Sequence, residues 1–138
     1  MLTVLAFIVT LGVLITIHEY GHFQVALADE SQHDPNAIKR IILCSGKVYY
    51  TLAQAREKSK QDDVAIVRIE QLYPFPAEDY AVALSHYPNA REIVWCQEEP
   101  QNQGAWYQIR HRLQEPLRGD QDLLYSGRRP AAAPATGI

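Results

Sequence analysis

The most reactive pattern in the sequence is His18-Glu19-Tyr20-Gly21-His22, an H-E-x-x-H motif. On a helix, two histidines four residues apart lie on one face and can bind the same metal ion. A zinc ion held there lowers the pKa of bound water, and a neighbouring carboxylate can accept the proton. The motif predicts His18 and His22 as zinc ligands and Glu19 as a general base. The competing interpretation is a relic motif without activity.

Three other groups of polar residues follow apolar runs. Ser45-Gly46-Lys47 suits a phosphate site at a helix amino terminus, although G-x-x-x-x-G-K-[ST] is absent and a solvated turn is the alternative. Glu98-Glu99 could be an acid/base pair or metal ligands, and the alternative is a solvated strand end. Cys44 and Cys96 each lie at the end of an apolar run, so we expect neighbouring, reduced thiols.

The H-E-x-x-H motif lies in an apolar segment, residues 1–27, whose one charged residue is Glu19. A helix of 27 residues is about 40 Å long, and the hydrocarbon of a bilayer is about 30 Å thick. The segment therefore predicts a transmembrane helix. A cleaved signal peptide is the alternative, because Ala26-Leu27-Ala28 resembles a cleavage site, but no basic residue precedes the apolar run.

The remainder of the chain has a different composition. Residues 28–138 contain the other 28 charged residues, and 47% of the whole chain is hydrophobic, enough to form a core. The net charge of −3 argues against a nucleic-acid-binding protein. Residues 28–36 are expected to form a linker, and residues 37–138 a single domain.

Apolar runs alternate with amphipathic stretches in this domain. Strands are predicted at 38–43, 64–69 and 93–96, with a fourth at 123–125. Helical faces are predicted from Val48, Leu52 and Ala55, from Ala77, Tyr80, Ala81 and Leu84, and from Ala105, Ile109 and Leu113. This βαβαβ order predicts an α/β fold, a three-layer αβα sandwich with a mostly parallel sheet. Ligands would bind at the carboxyl ends of the strands.

The stretch GVLITIHEYGHFQVA resembles the first membrane helix of the site-2 protease family of zinc metalloproteases. The resemblance implies zinc on His18 and His22, with Glu19 as the base. That family also uses an aspartate in an L-D-G setting, which this sequence lacks. The ligand set is therefore expected to be incomplete, and zinc binding weak.

Four blocks of the domain resemble the carboxy-terminal domain of 2-oxoglutarate dehydrogenase, the thiamine diphosphate-dependent first component. They are IKRIILCSGKVYY, DDVAIVRIEQLYPFP, YPNAREIVWCQEEPQNQGAW and YSGRRPAAAPATG. The resemblance implies a transketolase C-terminal-like fold for residues 37–138, truncated at its end. It also implies a homodimeric parent enzyme that decarboxylates 2-oxoglutarate and transfers a succinyl group to the lipoyl group of a succinyltransferase partner.

The parent family binds thiamine diphosphate and magnesium in upstream domains, so neither is expected on this chain. Some relatives bind nucleotide-type effectors near the residues after Gln71, which makes Gln71 a candidate effector contact. The stretch after it, Ala77-Glu78-Asp79, is acidic and argues against phosphate binding there. Residues 28–138 are expected in the cytoplasm, anchored to the inner membrane by residues 1–27. The expected function is that of a structural fragment, inactive alone, in which a fusion, a design or an assembly error joins two unrelated segments near residue 28. The alternative function is that of a membrane-embedded zinc metalloprotease fragment with an incomplete ligand set.

Overall fold

The computed structural model describes residues 2–22, 26–27 and 34–132, and for residues 14–22 and 26–27 it describes the backbone alone. The helices and strands follow the βα alternation that the sequence predicts. Their bounds are α1 Leu2–His22, β1 Ala26–Leu27, a 3-10 turn Pro35–Ala37, β2 Arg40–Cys44, α2 Val48–Ser59, β3 Val64–Ile69, α3 Ala77–Ser85, β4 Glu92–Pro100, α4 Trp106–Gln114 and β5 Asp122–Arg128.

The strands within the described part of the chain form one sheet in the order β1-β3-β2-β4-β5. β2 pairs in parallel with β3 and with β4, and β4 pairs in parallel with β5. β1 pairs antiparallel with β3 at the edge, with Ala26 opposite Ile69. The predicted mostly parallel sheet is therefore confirmed, and the fourth predicted strand belongs to it.

The sheet is covered on both faces, which gives three layers. Alternate residues of β2 point to opposite sides, because successive side chains of a strand alternate. Ile41 and Leu43 contact the larger cluster, which includes residues of α3 and α4, whereas Ile42 and Cys44 contact the smaller cluster under α2. Burial on both sides explains why the strands read as nearly continuous apolar runs.

Two details of the predicted helix faces are wrong. Ala55 and Ala81 are exposed. Ala53, on α2, packs against the smaller cluster, and Ala83, on α3, is buried in the larger one. In α3 the buried residues are Tyr80, Ala83 and Leu84, the i, i+3, i+4 spacing of a single helical face. The contacts with the sheet decide which of two alanines, two positions apart in the chain, lies inside.

The amino-terminal segment forms a helix, but the prediction of a transmembrane helix is not supported. Within the described residues, no helix combines the length and the apolar character needed to cross a membrane.

Candidate functional site

Parallel strands bring the most chemically varied residues to one edge of the sheet, which we call the carboxyl edge. It consists of residues 44–49, 68–75, 96–104 and 125–128, at and after the ends of β2 to β5. Cys44 lies opposite Arg68 in the register of β2 and β3. Cys96 lies opposite Ser126 in that of β4 and β5. An open α/β sheet normally binds ligands at this edge.

Cys44 and Cys96 are side by side at the carboxyl edge. Leu43 pairs with Trp95 in parallel register, and each cysteine is the next residue on its strand. Both thiols are free, Cys44 buried and Cys96 half-buried. Both belong to the cluster under α2. This confirms the prediction that the two thiols are neighbours.

Burial controls the ionisation of both thiols. It raises the pKa of the Cys44 thiol from its ordinary 9.0 to about 12; Cys96 and Glu70 act in the same direction, and Arg68 acts against them. Burial also raises the pKa of Cys96, against a hydrogen bond with the Ser126 side chain that lowers it. Both groups are therefore thiols at neutral pH, and neither is an activated nucleophile.

Arg68 supplies the positive charge beside these thiols. Its guanidinium carbon lies 4.4 Å from the centre of the Tyr49 ring, within the range of a cation–π contact. Its Nε lies 3.7 Å from Glu70 Oε1, a long and partly solvated ion pair that contributes little to stability. Sequence reasoning missed this group, although an arginine within the apolar run of β3 was a visible signal.

Gln97 organises the loop that follows β4. Its side-chain oxygen accepts hydrogen bonds from Trp95 Nε1 at 2.8 Å and from the Trp106 amide at 3.2 Å. Its side-chain nitrogen donates to the carbonyls of Glu99, Pro100 and Gln103.

The Gln97 side chain is buried. A buried amide with these partners holds a loop in one conformation and leaves little capacity for a ligand. Sequence reasoning also missed this role, for which the signal was a polar residue directly after the apolar run Ile93–Cys96.

The two other candidate sites at this edge, Glu98-Glu99 and Ser45-Gly46-Lys47, are explained without a bound ligand. Glu98 and Glu99 are exposed at the strand end. Gly46 has a φ of +76°, and Lys47 is exposed at the start of α2, where no side chain caps the helix. A solvated turn between strand and helix accounts for Ser45-Gly46-Lys47.

Gln71 closes the turn after β3. Its side-chain nitrogen donates to the Pro74 carbonyl at 3.0 Å, next to the cis peptide bond between Tyr73 and Pro74. This turn borders a cleft of about 450 Å³ whose lining also includes Arg112. One donor of Gln71 is thus engaged within the chain, and its role as an effector contact stays a prediction.

The candidate zinc residues lie near the carboxyl end of α1. His18, Glu19 and His22 fall within its backbone, and their side chains lie outside the described residues. Among the residues that the structure describes, no group of three or more His, Cys, Asp or Glu side chains could hold a metal ion. The zinc site stays a prediction.

The chain is similar to known proteins over most of its length. It matches the family described as 2-oxoglutarate dehydrogenase C-terminal over residues 14–138. It is 53% identical over 119 residues to the 2-oxoglutarate dehydrogenase E1 component of Coxiella burnetii, covering 85% of this chain and 13% of the relative. The E1 component of Cupriavidus necator is 49% identical over 117 residues, 85% of this chain and 12% of the relative.

A eukaryotic relative is also similar. The mitochondrial 2-oxoglutarate dehydrogenase of Schizosaccharomyces pombe is 41% identical over 132 residues, 88% of this chain and 13% of the relative. The chain thus spans about one eighth of the length of these relatives.

The family match also decides between the two resemblances seen in the sequence. It begins at residue 14 and therefore includes His18, Glu19 and His22. The similarity to site-2 proteases is not supported by these comparisons, and the alternative function of a membrane protease fragment is not supported with it. Because the match covers most of its length, the chain belongs to the 2-oxoglutarate dehydrogenase C-terminal family.

Proposed function

We propose that this chain acts as the carboxy-terminal structural domain of a 2-oxoglutarate dehydrogenase first component and is inactive alone. The observation that carries the proposal is the match over residues 14–138, together with relatives about eight times longer. The geometry of the carboxyl edge supports it. Gln97 binds its own loop, and the two thiols are protonated, so the edge is built for packing more than for reaction.

The complete enzyme would decarboxylate 2-oxoglutarate with thiamine diphosphate and magnesium and transfer the succinyl group to a lipoyl group. The relatives are about eight times longer than this chain, and the Gln97 amide is engaged by its own loop. We therefore assign the cofactors and the chemistry to other parts of the enzyme. The homodimer and the lipoyl succinyltransferase partner belong to the same proposal.

The proposal places residues 28–138 in the cytoplasm, where the metabolic substrate would be available. The membrane anchor predicted for residues 1–27 is not part of it. The pairing of Ala26–Leu27 with β3 supports a domain that includes residues 26–27, which precede both the linker predicted at 28–36 and the domain start predicted at 37.

A chimera tests the structural role. The segment of the Coxiella burnetii relative that aligns with this chain would be replaced by residues 23–138, and release of CO₂ from 2-oxoglutarate would be measured. We expect the chimera to keep activity and the same relative without that segment to lose it. An assembled chimera, verified by size-exclusion chromatography, that has no activity would contradict the proposal.

The chain itself gives the second test. Purified protein with thiamine diphosphate, magnesium and 2-oxoglutarate is expected to release CO₂ at the background rate. Turnover above background, lost when thiamine diphosphate is omitted, would show that the chain contains a catalytic site of its own.

A further inference from the structure

The Cys44 and Cys96 pair has a geometry that the proposed structural role does not require. The two residues are lateral neighbours on parallel strands and point to the same side of the sheet, into the cluster under α2. The sequence contains no other cysteine. Any property that needs two thiols in this chain must therefore come from this pair.

The spacing of the strands decides what such a pair can bind. Neighbouring strands lie about 4.8 Å apart. A disulfide joins Cα atoms about 4.4–6.8 Å apart, so the oxidised pair suits a disulfide at this spacing. Two metal–sulfur bonds of about 2.3 Å placed end to end span about 4.6 Å, so the reduced pair can also hold one ion between its two sulfur atoms.

The number of ligands decides the kind of metal. Zinc sites in proteins use four ligands, or three and a water molecule. Among the described residues, no cluster of three or more potential ligands was found. A soft monovalent ion such as Cu(I) or Ag(I) is stable between two thiolates in a linear arrangement, and thiolates prefer this class of ion.

Charge and access also agree with this class of ligand. Binding converts two thiols and one monovalent cation into a bis-thiolate complex of charge −1 and releases two protons. The Arg68 guanidinium, opposite Cys44 in the register and in contact with the Tyr49 ring, offsets part of this charge, and Glu70 beside it acts in the opposite direction. Ser126, hydrogen-bonded to Cys96, can support the thiolate form. Cys96 is half-buried, so an ion can enter from its side.

We propose that Cys44 and Cys96 form a two-coordinate binding site for a soft monovalent metal ion of the Cu(I) and Ag(I) class. The site joins the carboxyl ends of β2 and β4. It does not depend on the proposed enzymatic parent, because both ligands and the compensating charge lie within this chain.

Silver titration of the full chain tests the site. The reduced protein would be mixed with Ag(I) and a competing small monothiol, desalted, and analysed for metal by mass spectrometry. We expect about one ion per chain in the wild type. Cys44→Ser and Cys96→Ser should each bind at least roughly 100-fold more weakly, because each loses a second ligand held at high effective concentration.

The controls separate the site from misfolding and from other soft ligands. His86→Ala changes an exposed histidine and should bind as the wild type does. Circular dichroism establishes that each variant is folded; Cys96→Ser alters the half-buried position and supplies the test if Cys44→Ser does not fold. X-ray absorption should show two sulfur neighbours and no nitrogen.

Several outcomes would overturn the proposal. One is equal silver retention by a folded Cys96→Ser variant. A second is a metal coordinated by nitrogen. A third is a wild-type chain that forms an intramolecular disulfide under mild oxidation but takes up no silver when reduced.

Discussion

Gln97 is the residue on which the loop after β4 most depends. Its amide joins the indole of Trp95 and the start of α4 to the carbonyls of Glu99 and Pro100 at the end of β4 and of Gln103 in the loop. Removing such a side chain leaves buried polar groups without partners, and each of them costs roughly 1–3 kcal/mol. A single residue thus holds one strand, one loop and one helix in register.

We expect Gln97→Ala to lower the free energy of unfolding by about 3 kcal/mol, because the Trp95 indole and the Pro100 carbonyl lose their partner. Urea denaturation followed by tryptophan fluorescence measures it. The matched control is Gln108→Ala, which truncates an exposed glutamine on α4 and should change stability by less than about 0.5 kcal/mol. Equal losses in the two variants would contradict the role given to Gln97.

Tyr80 joins α3 to α4 through one buried hydrogen bond. Its hydroxyl donates to the Leu113 carbonyl at 2.9 Å, and burial raises the pKa of Tyr80 above its ordinary 10.0. Below pH 10 the phenol is protonated in both the folded and the unfolded chain. Above pH 10 the unfolded chain loses the proton first, so the folded state loses stability.

We therefore predict that the difference in unfolding free energy between the wild type and Tyr80→Phe depends on pH. At pH 7 the wild type should be more stable by about 1–2 kcal/mol because of the hydrogen bond. Above pH 10 that advantage should shrink by up to about 1.4 kcal/mol per pH unit, since phenylalanine cannot ionise. Urea denaturation of both proteins at pH 7 to 11 measures the difference in their unfolding free energies. Because the other titrating groups are the same in both proteins, their contributions cancel in this difference. A difference that stays constant over this range would contradict the prediction.

At the scale of elements, the turns that follow β2 and β4 differ in how closely they are packed. Gly46 and Gly104 both have positive φ, +76° and +68°, where a side chain is strained. A Cβ at Gly46 would meet nothing within 4 Å, whereas a Cβ at Gly104 would lie 3.2 Å from both Gln97 Nε2 and Glu99 Cβ. A side chain at Gly46 would therefore suffer backbone strain alone, whereas one at Gly104 would suffer both backbone strain and crowding.

We expect Gly46→Ala to cost about 1 kcal/mol, the penalty for positive φ alone. Gly104→Ala should cost roughly 2–3 kcal/mol, because it also disturbs the Gln97 amide. Thermal unfolding of the two variants gives the comparison. If both lose the same stability, Gly104 is needed for its φ value only, and the close approach to Gln97 is not important.

The type and order of the elements followed from the sequence, and their exact faces did not. The runs 64–69 and 93–96 have the apolar, β-branched composition of buried parallel strands, and both are strands in the structure. The choice of Ala83 over Ala81 as the buried alanine of α3 depended on where the sheet lies. The spacing of apolar residues along the chain predicts roughly which side of a helix is buried. The packing of the neighbouring layer decides which residue on that side is buried.

For the whole molecule, the pairing of β1 with β3 extends the sheet beyond the predicted domain start. Ala26 and Leu27 lie opposite Ile69 and Arg68, and residues 14–27 fall within the family match. A protein that begins at residue 23 keeps this edge strand, and one that begins at residue 28 loses it. The two differ by five residues.

We expect residues 28–138 to be less stable than residues 23–138 by about 1–2 kcal/mol, because backbone hydrogen bonds at the sheet edge are lost. The loss should also expose the edge of β3 to pairing with other chains. Chemical denaturation and light scattering measure the two effects. Equal stability and equal aggregation of the two forms would show that β1 contributes nothing and would support a domain that starts after residue 27, as the sequence predicted.

The sequence by itself determined the α/β class, the order of strands and helices from residue 38 onward, and the family, because local periodicity and long matching blocks need no knowledge of contacts. It also indicated two neighbouring thiols, since parallel strands end at one edge. Only the tertiary structure decided that Gln97 is a buried organiser of its loop, that Arg68 lies against Tyr49, and that Ala26–Leu27 joins the sheet. Gln97 is surrounded only after α4 closes over β4, and Arg68 and β1 meet partners many residues away in the chain. Such contacts depend on how the layers close, and no local pattern contains that information.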